Sequence, residues 1–350
     1  MNAGLTIAVL LGGTSEERRV SIATGRAIVE ALRGRGHEVV PVDPAFGAIR
    51  PDDEAGYLGG EVGREPPSLE ELRRMGRIAV GAALPELPAV READVAFLAL
   101  HGGDGENGRI QAVLEVAGIP YTGSGVLGSA IAFDKRVSKE LLDHAGVPTP
   151  AWAPHGASAA EVLDEIGLPL VVKPAAGGST VGLTVVRSAD ALPAAMELAA
   201  RYDRDVLCEA FIPGRELTVT VLEGRALPVT EIIPGNEIYD YESKYTPGKS
   251  QYVTPAELET GETEELSRLA EVAFDVLRQE SVSRIDFRRH TDGSFWCLEG
   301  NSLPGMTATS LVPKAAKAAG ISFPELCERI ALAGCRRPIG GRGRPVTGAD

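Results

Sequence analysis

The chain has 350 residues, 44% of them hydrophobic and 24% charged, with 49 acidic against 35 basic side chains and a formal net charge of −14. This is an ordinary globular composition, long enough for more than one core at ~150 residues per domain, and it excludes a small disulfide-stapled module. A pI near 5.0 with no block of clustered Lys and Arg argues against nucleic acid as a partner.

The opening run LTIAVLLGG (5–13) is continuously apolar and ends in Gly-Gly. It lacks a basic flank and is broken by glycines, so neither a signal peptide nor a membrane span is expected, and the cytoplasm is the expected compartment. A helical pattern (20–36) and the strand HEVVPVD complete a βαβ opening. After a poorly periodic stretch (44–92), ADVAFLALHG resumes as a buried strand ending in a glycine-rich turn. The first domain (1–125) therefore reads as a doubly wound parallel-sheet α/β unit.

One helix is expected over 126–146, closed by Gly146 and Pro148. From about 149 the texture changes to short strands with a helix near 190–201, an α+β layer divided here into a central part (126–219) and a C-terminal part (220–335). Residues 235–255 hold four of the chain's seven tyrosines without apolar period and read as a long ordered loop. A helix (262–279), the strands SRIDFRRH and SFWCLEGN, two helices (310–333) and a flexible tail (336–350) finish the chain.

Cys208, Cys297, Cys327 and Cys335 are too far apart for CxxC spacing and are expected as buried, reduced residues. Gly123 to Gly128 satisfies GxGxxG, but its preceding strand is only GIPYT, so a dinucleotide reading rests on little. Gly248-Lys249-Ser250 is rejected as a P-loop because Ser243 stands where the upstream glycine is required. The segment Lys173 to Gly182, with Gly177, Gly178, Ser179 and Thr180, has the composition of a hairpin whose N–H groups fold over phosphates; a plain turn is the equal alternative. Lysine is scarce, 7 against 28 arginines, yet Lys135, Lys173 and Lys244 each lie beside a glycine- or tyrosine-rich loop.

On alternating strands Arg284 shares a face with Asp286, and Glu299 shares one with Asn301. Two carboxylates and an amide oxygen are hard ligands suited to Mg²⁺ bound with nucleotide phosphates, with a surface ion-pair cluster as the alternative. The apolar neighbours Ile285, Phe287, Trp296 and Leu298 are expected on the opposite, core face. The five histidines are scattered, which argues against zinc.

In order, the segments LLGGTSEERRVS, HGGDGENGRIQ, FDKRVSK, VVKPAAGGSTVG, CEAFIPGRELTV, YDYESKYT, RIDF and LEGNSLPGMTATSLVP make the chain resemble the D-alanine:D-alanine ligases of the ATP-grasp superfamily. Two positions depart from the family pattern, Asn107 for Asp and Gly300 for a small aliphatic residue. The resemblance implies an ATP-grasp fold and ATP-dependent ligation through an acylphosphate, with two Mg²⁺ ions, Mn²⁺ being an alternative. It implies that Lys135, Lys173 and Lys244 contact phosphates under the hairpin of Gly177, Gly178, Ser179 and Thr180, that Glu209 and Glu216 contact the adenosine, and that Asp286, Glu299 and Asn301 hold the metal.

By the same resemblance, Glu17 binds the ammonium of the first D-alanine and joins Ser179 and Tyr245 in a hydrogen-bonded set, with His101 close by. Ser310 and Leu311 then hold the second D-alanine, and Arg284 with the Gly305 N–H forms an oxyanion site. D-Alanine and ATP are the implied small-molecule partners, with a homodimer and no membrane or nucleic-acid partner. A D-lactate- or D-serine-using ligase, and a silent nucleotide-binding regulator, are the alternatives.

Overall fold

The computed structural model describes residues 4–60, 70–71, 74, 81–178, 180–235, 248–307 and 310–338. The opening run becomes strand β1 (Thr6–Leu10), followed by the helix Arg18–Gly34 and strands β2 (Glu38–Asp43), β3 (Gly47–Ala48) and β4 (Val95–Leu98). The sheet order is β3-β2-β1-β4, with β1 parallel to both neighbours. A parallel strand covered on both faces needs no polar alternation. Accordingly Ile7 and Val9 enter one core with Ile28 and Leu32, while Ala8 and Leu10 enter another with Ile110 and Leu114 of the helix Arg109–Ala117. GIPYT contributes only a bridge from Tyr121 to Ala96.

The single helix expected over 126–146 is two, Val126–Phe133 and Lys135–His144. Asp134 breaks it: its backbone is extended and its carboxylate caps the second helix by accepting from the Arg136 and Val137 N–H groups. The break also docks the chain on the glycine-rich segment, through an Asp134–Ala176 bridge and a 3.0 Å bond from the Lys135 N–H to the Ala175 carbonyl. Lys135 thus begins a helix pointed at that segment.

Strands β5 (Leu170–Pro174), β6 (Thr184–Val186) and β7 (Val206–Ala210) form an antiparallel sheet ordered β6-β5-β7. The helices Ala159–Glu165 and Leu192–Ala199 cover one face, burying Leu170, Val172 and Cys208. Strands β8 (Gly214–Leu222), β9 (Arg225–Ala226), β10 (Thr230–Pro234), β11 (Ser250–Val253), β12 (Val282–His290) and β13 (Phe295–Asn301) build a second sheet, ordered β11-β10-β8-β12-β13 with β9 on β8. Strand β8 runs through positions 219 and 220, where the sequence reading divides the central and C-terminal parts. Strand β11 corrects part of the expected 235–255 loop: Gln251 and Tyr252 pair with Ile233 and Ile232.

One face of this sheet packs on the helix Thr260–Val276, joining Leu217, Val219, Val221, Ile285 and Phe287 to Leu266, Leu269, Ala270, Ala273 and Phe274. The helices Leu311–Ala318 and Phe323–Cys335 return to the first sheet, where Val312, Leu326 and Ile330 share the core of Ile7 and Val9. Arg337, expected in the frayed tail, is instead tied down: it donates to the Tyr121 and Gly123 carbonyls and lies 4.3 Å from the Tyr121 ring centroid. Cys208, Cys297 and Cys327 are buried and Cys335 half-buried, all as free thiols.

Candidate active site

The period-2 alternation that buries Leu217, Val219, Ile285 and Phe287 turns their neighbours to the opposite face. Cross-strand register pairs Glu216 with Arg288, Thr218 with Asp286 and Thr220 with Arg284, and β13 adds Glu299 opposite Asp286 and Asn301 opposite Arg284. A bulge at Asp286/Phe287 places Cys297 opposite Phe287 in the core and leaves Leu298 lining the cleft. That corrects the expected core face, as does the partly exposed Trp296, whose indole N–H reaches Ser294.

Asp286 is the hub of this face. Arg284 grips it from Nε (2.9 Å) and Nη2 (2.9 Å), Thr218 donates at 2.6 Å and the Asn301 amide at 3.0 Å. Arg288 pairs with Glu216 at 3.2 Å. Facing this polar sheet across a cleft is the side of β5 and β7 turned away from their covering helices, which presents Val171, Lys173 and Glu209. Lys173 Nζ lies 2.5 Å from Glu209 Oε1, and Lys135 Nζ lies 2.6 Å from the Gly177 carbonyl and 3.3 Å from Glu299. Gly177, Gly178 and Thr180 line the same cleft, Thr180 with the uncommon φ of +59°.

Burial pushes the Glu209 carboxyl up, but the two ammonium groups of Lys139 and Lys173 outweigh it and hold it below its ordinary value. The Lys173 ammonium is penalised by burial, and Glu209 and Glu299 more than offset this. Both shifts favour the charged form of the group.

At the mouth of the first sheet, Glu17 begins the helix Arg18–Gly34 without capping it through its side chain. Its carboxylate lies against two glycines: a Cβ on Gly178 would sit 2.6 Å from Oε2, and one on Gly102 would sit 3.0 Å away. His101 is buried, with Nδ1 3.0 Å from the Leu303 carbonyl and Nε2 2.9 Å from Thr24 Oγ1. A carbonyl oxygen only accepts, so Nδ1 is the donor to Leu303. Burial, with Glu17 adding to it, raises the Glu106 carboxyl despite the His101 ring 3.9 Å away.

Beyond β13, Gly305 and Ser310 lie against each other. A Cβ on Gly305 would meet Ser310 Oγ at 2.9 Å. Ser310 stands at the N-cap of Leu311–Ala318, yet makes no capping bond; its Oγ accepts from the Thr307 N–H at 3.0 Å. Leu311 is buried. Ser179, Lys244 and Tyr245 lie outside the described residues.

Among the described residues no three His, Cys, Asp or Glu side chains are grouped to hold a metal. The oxygen-bearing side chains on the polar sheet face are instead Asp286 and Glu299, paired across adjacent strands, with Asn301, whose amide nitrogen donates to Asp286 at 3.0 Å. One or two carboxylates completed by water and phosphate oxygens suit Mg²⁺, so this set fits that ion.

Both departures from the family pattern have local explanations. Asn107 Oδ1 accepts from the Arg109 N–H at 3.1 Å, a bond an aspartate would also make. A Cβ on Gly300 would meet only side-chain ends, Leu277 Cδ1 at 2.8 Å and Ile285 Cδ1 at 3.3 Å. Sequence reasoning passed over Glu106, Thr218, Arg288 and Lys139. The scarcity of lysine was a signal for Lys139, one helical turn beyond Lys135.

Two family models match, "D-ala D-ala ligase N-terminus" over residues 6–124 and "D-ala D-ala ligase C-terminus" over residues 140–331. Curated D-alanine–D-alanine ligases are similar at 44% identity in Anaeromyxobacter sp. (strain Fw109-5), covering 93% of this chain and 96% of the relative, and at 42% in Gloeobacter violaceus, covering 93% and 98%. Among solved structures, a Bacillus anthracis D-alanine–D-alanine ligase complexed with ATP is similar at TM-score 0.74 and 32% identity, covering 95% of this chain and 97% of that one. The Enterococcus faecalis VanG D-Ala:D-Ser ligase is similar at TM-score 0.77 and 26% identity, covering 95% and 99%.

Proposed function

Because the chain belongs to the D-alanine–D-alanine ligase family, we propose that it joins two D-alanine molecules into D-alanyl-D-alanine, driven by ATP, for peptidoglycan precursor synthesis. The fold is the ATP-grasp fold. The observation that carries the reading is the convergence in one cleft of Lys135 and Lys173 with Asp286 and Glu299, under the glycine-rich segment.

A carboxylate is a poor acyl donor. One oxygen of the first D-alanine carboxylate attacks the γ-phosphorus of ATP, the bond to the bridging oxygen breaks, and ADP leaves behind an acylphosphate. The neutral amine of the second D-alanine then attacks the carbonyl carbon, the C–N bond forms, the bond to the phosphate oxygen breaks, and the amine proton leaves with the departing phosphate. Lys135, Lys173 and Lys244 spread the phosphate charge, and Glu209 and Glu216 accept from the adenosine. Asp286, Glu299 and Asn301 would hold Mg²⁺ (or Mn²⁺), which when bound supplies charge neutralisation on the phosphates.

Glu17 takes the first ammonium beside His101, within the set it shares with Ser179 and Tyr245. Ser310 and Leu311 hold the second substrate. Arg284, always protonated, and the Gly305 N–H face the tetrahedral oxyanion. The hairpin of Gly177, Gly178 and Thr180 excludes water that would hydrolyse the acylphosphate.

No helix among the described residues is long and apolar enough to cross a membrane. We read the enzyme as a cytoplasmic homodimer, an assembly that sedimentation checks. The deciding assay follows ADP and phosphate with D-alanine, L-alanine, and D-alanine plus D-lactate or D-serine, identifying products by mass spectrometry. D-Alanyl-D-alanine from D-alanine alone is expected; no D-alanine-dependent ADP despite measurable ATP binding would sink the assignment.

A further inference from the structure

Lys139 is fully buried, on the helix Lys135–His144 and one turn beyond Lys135. Its Nζ donates to Glu209 Oε2 at 2.8 Å and to Thr149 Oγ1 at 2.8 Å, and lies 5.3 Å from the Trp152 ring centroid. The other oxygen of Glu209 receives Lys173. One carboxylate is thus held between two ammonium groups, of which Lys173 lines the cleft and Lys139 has no surface to offer a ligand.

We infer that Lys139 is a positioning residue for the nucleotide: by occupying Glu209 Oε2 from behind, it fixes the carboxylate so that Oε1 faces the cleft beside Lys173. The inference rests on the reading of Glu209 as a nucleotide contact. A carboxylate shared with only one lysine would rotate toward it, drawing the Lys173 ammonium away from phosphate and misaligning the acceptor meant for the adenosine. Thr149 and the Trp152 face hold Lys139 in turn, so three contacts from outside the cleft set the direction of one group inside it. Burying a lysine is unfavourable, and burial lowers the affinity of Lys139 for its proton. Packing alone would be met by an apolar side chain of similar length, which makes the retained charge informative.

The test measures ATP affinity by equilibrium binding and by KM in the full-length enzyme with Mg²⁺. Lys139→Met is expected to weaken ATP ~10-fold or more, the scale of a charge-assisted hydrogen bond, with KM for D-alanine and kcat at saturating ATP within ~3-fold of the parent. Glu209→Gln is expected to weaken ATP as well. In that background Lys139→Met should change affinity less than ~2-fold, because the lysine acts through the carboxylate. Thr149→Val keeps the fold's shape while removing one acceptor from Lys139, and is expected to raise KM for ATP ~3-fold or more; it carries the test if Lys139→Met fails to fold.

A lowered Tm with unchanged ATP affinity would make Lys139 merely structural and overturn the inference, as would independent, additive losses in the double variant. Loss of affinity in Glu209→Gln but not in Lys139→Met or Thr149→Val overturns the inference alone. Unchanged affinity in Glu209→Gln overturns the reading of Glu209 and the inference with it.

Discussion

The carboxylate of Glu17 rests directly on Gly178, so close that a Cβ there would stand 2.6 Å from Oε2. The group read as the anchor of the first substrate and the segment read as the phosphate cover therefore share a wall. Gly178→Ala is expected to hold the segment away from Glu17 and to lower kcat ~10²-fold, the effect of misplacing reacting groups by ~1 Å. Because an open cover admits water, more than one phosphate per dipeptide is also expected. Turnover and phosphate-to-dipeptide ratio check both, and parental values for each would show that Glu17 gives way instead.

Arg284 spans both oxygens of Asp286 in a two-pronged grip. Arg284→Ala is expected to cut turnover ~10²-fold or more, as for removal of an oxyanion donor. Arg284→Lys should recover only part of this, because one ammonium cannot reproduce the planar fork. The measurement is kcat at saturating substrates with circular dichroism as the folding control. A near-parental rate for the alanine variant would take Arg284 out of the mechanism.

The cleft was readable wherever one strand's alternation decided which side chains face together. RIDF and LEGN carry that pattern, and the sheet brings Arg284, Asp286, Glu299 and Asn301 to one face. Where pairing between strands intervened, the pattern misled: the bulge at Asp286/Phe287 keeps Cys297 in the core as expected but leaves Leu298, expected beside it, lining the cleft, and no single strand encodes it. The helix break at Asp134 was hidden for a similar reason, since its apolar period continues across a residue whose extended backbone is held by a distant loop. Lys139 could be counted but not located, because its partners Thr149 and Glu209 are 10 and 70 residues away.

Glu106 gives a pH signature. Burial raises its carboxyl in the folded chain, so between the ordinary value of ~4.3 and the raised one the native state binds the proton that the unfolded state releases. Stability must then fall as pH rises through that window. Glu106→Gln, which cannot ionise, is expected to be more stable than the parent above the window and to lose this advantage near pH ~4. Urea midpoints of the two proteins across that range read the difference directly; a difference independent of pH would contradict the assignment.

Gly128 closes the GxGxxG string that a dinucleotide reading would have used, and the structure gives it another task. A Cβ there would lie 2.1 Å from the Arg278 carbonyl oxygen, an atom of the backbone that no rotamer change can move. Around this contact Gln279 donates to the Gly128 carbonyl at 2.9 Å, Ser124 donates to Gln279 at 3.1 Å, and the Glu280 N–H reaches Ser124 Oγ at 3.1 Å. The glycine therefore lets the helix Val126–Phe133 seat on the turn before β12. Gly128→Ala is expected to destabilise the protein by ~1–3 kcal/mol, the range for overpacking a close contact. Denaturant unfolding measures the loss, and parental stability would show that the turn at Arg278 yields.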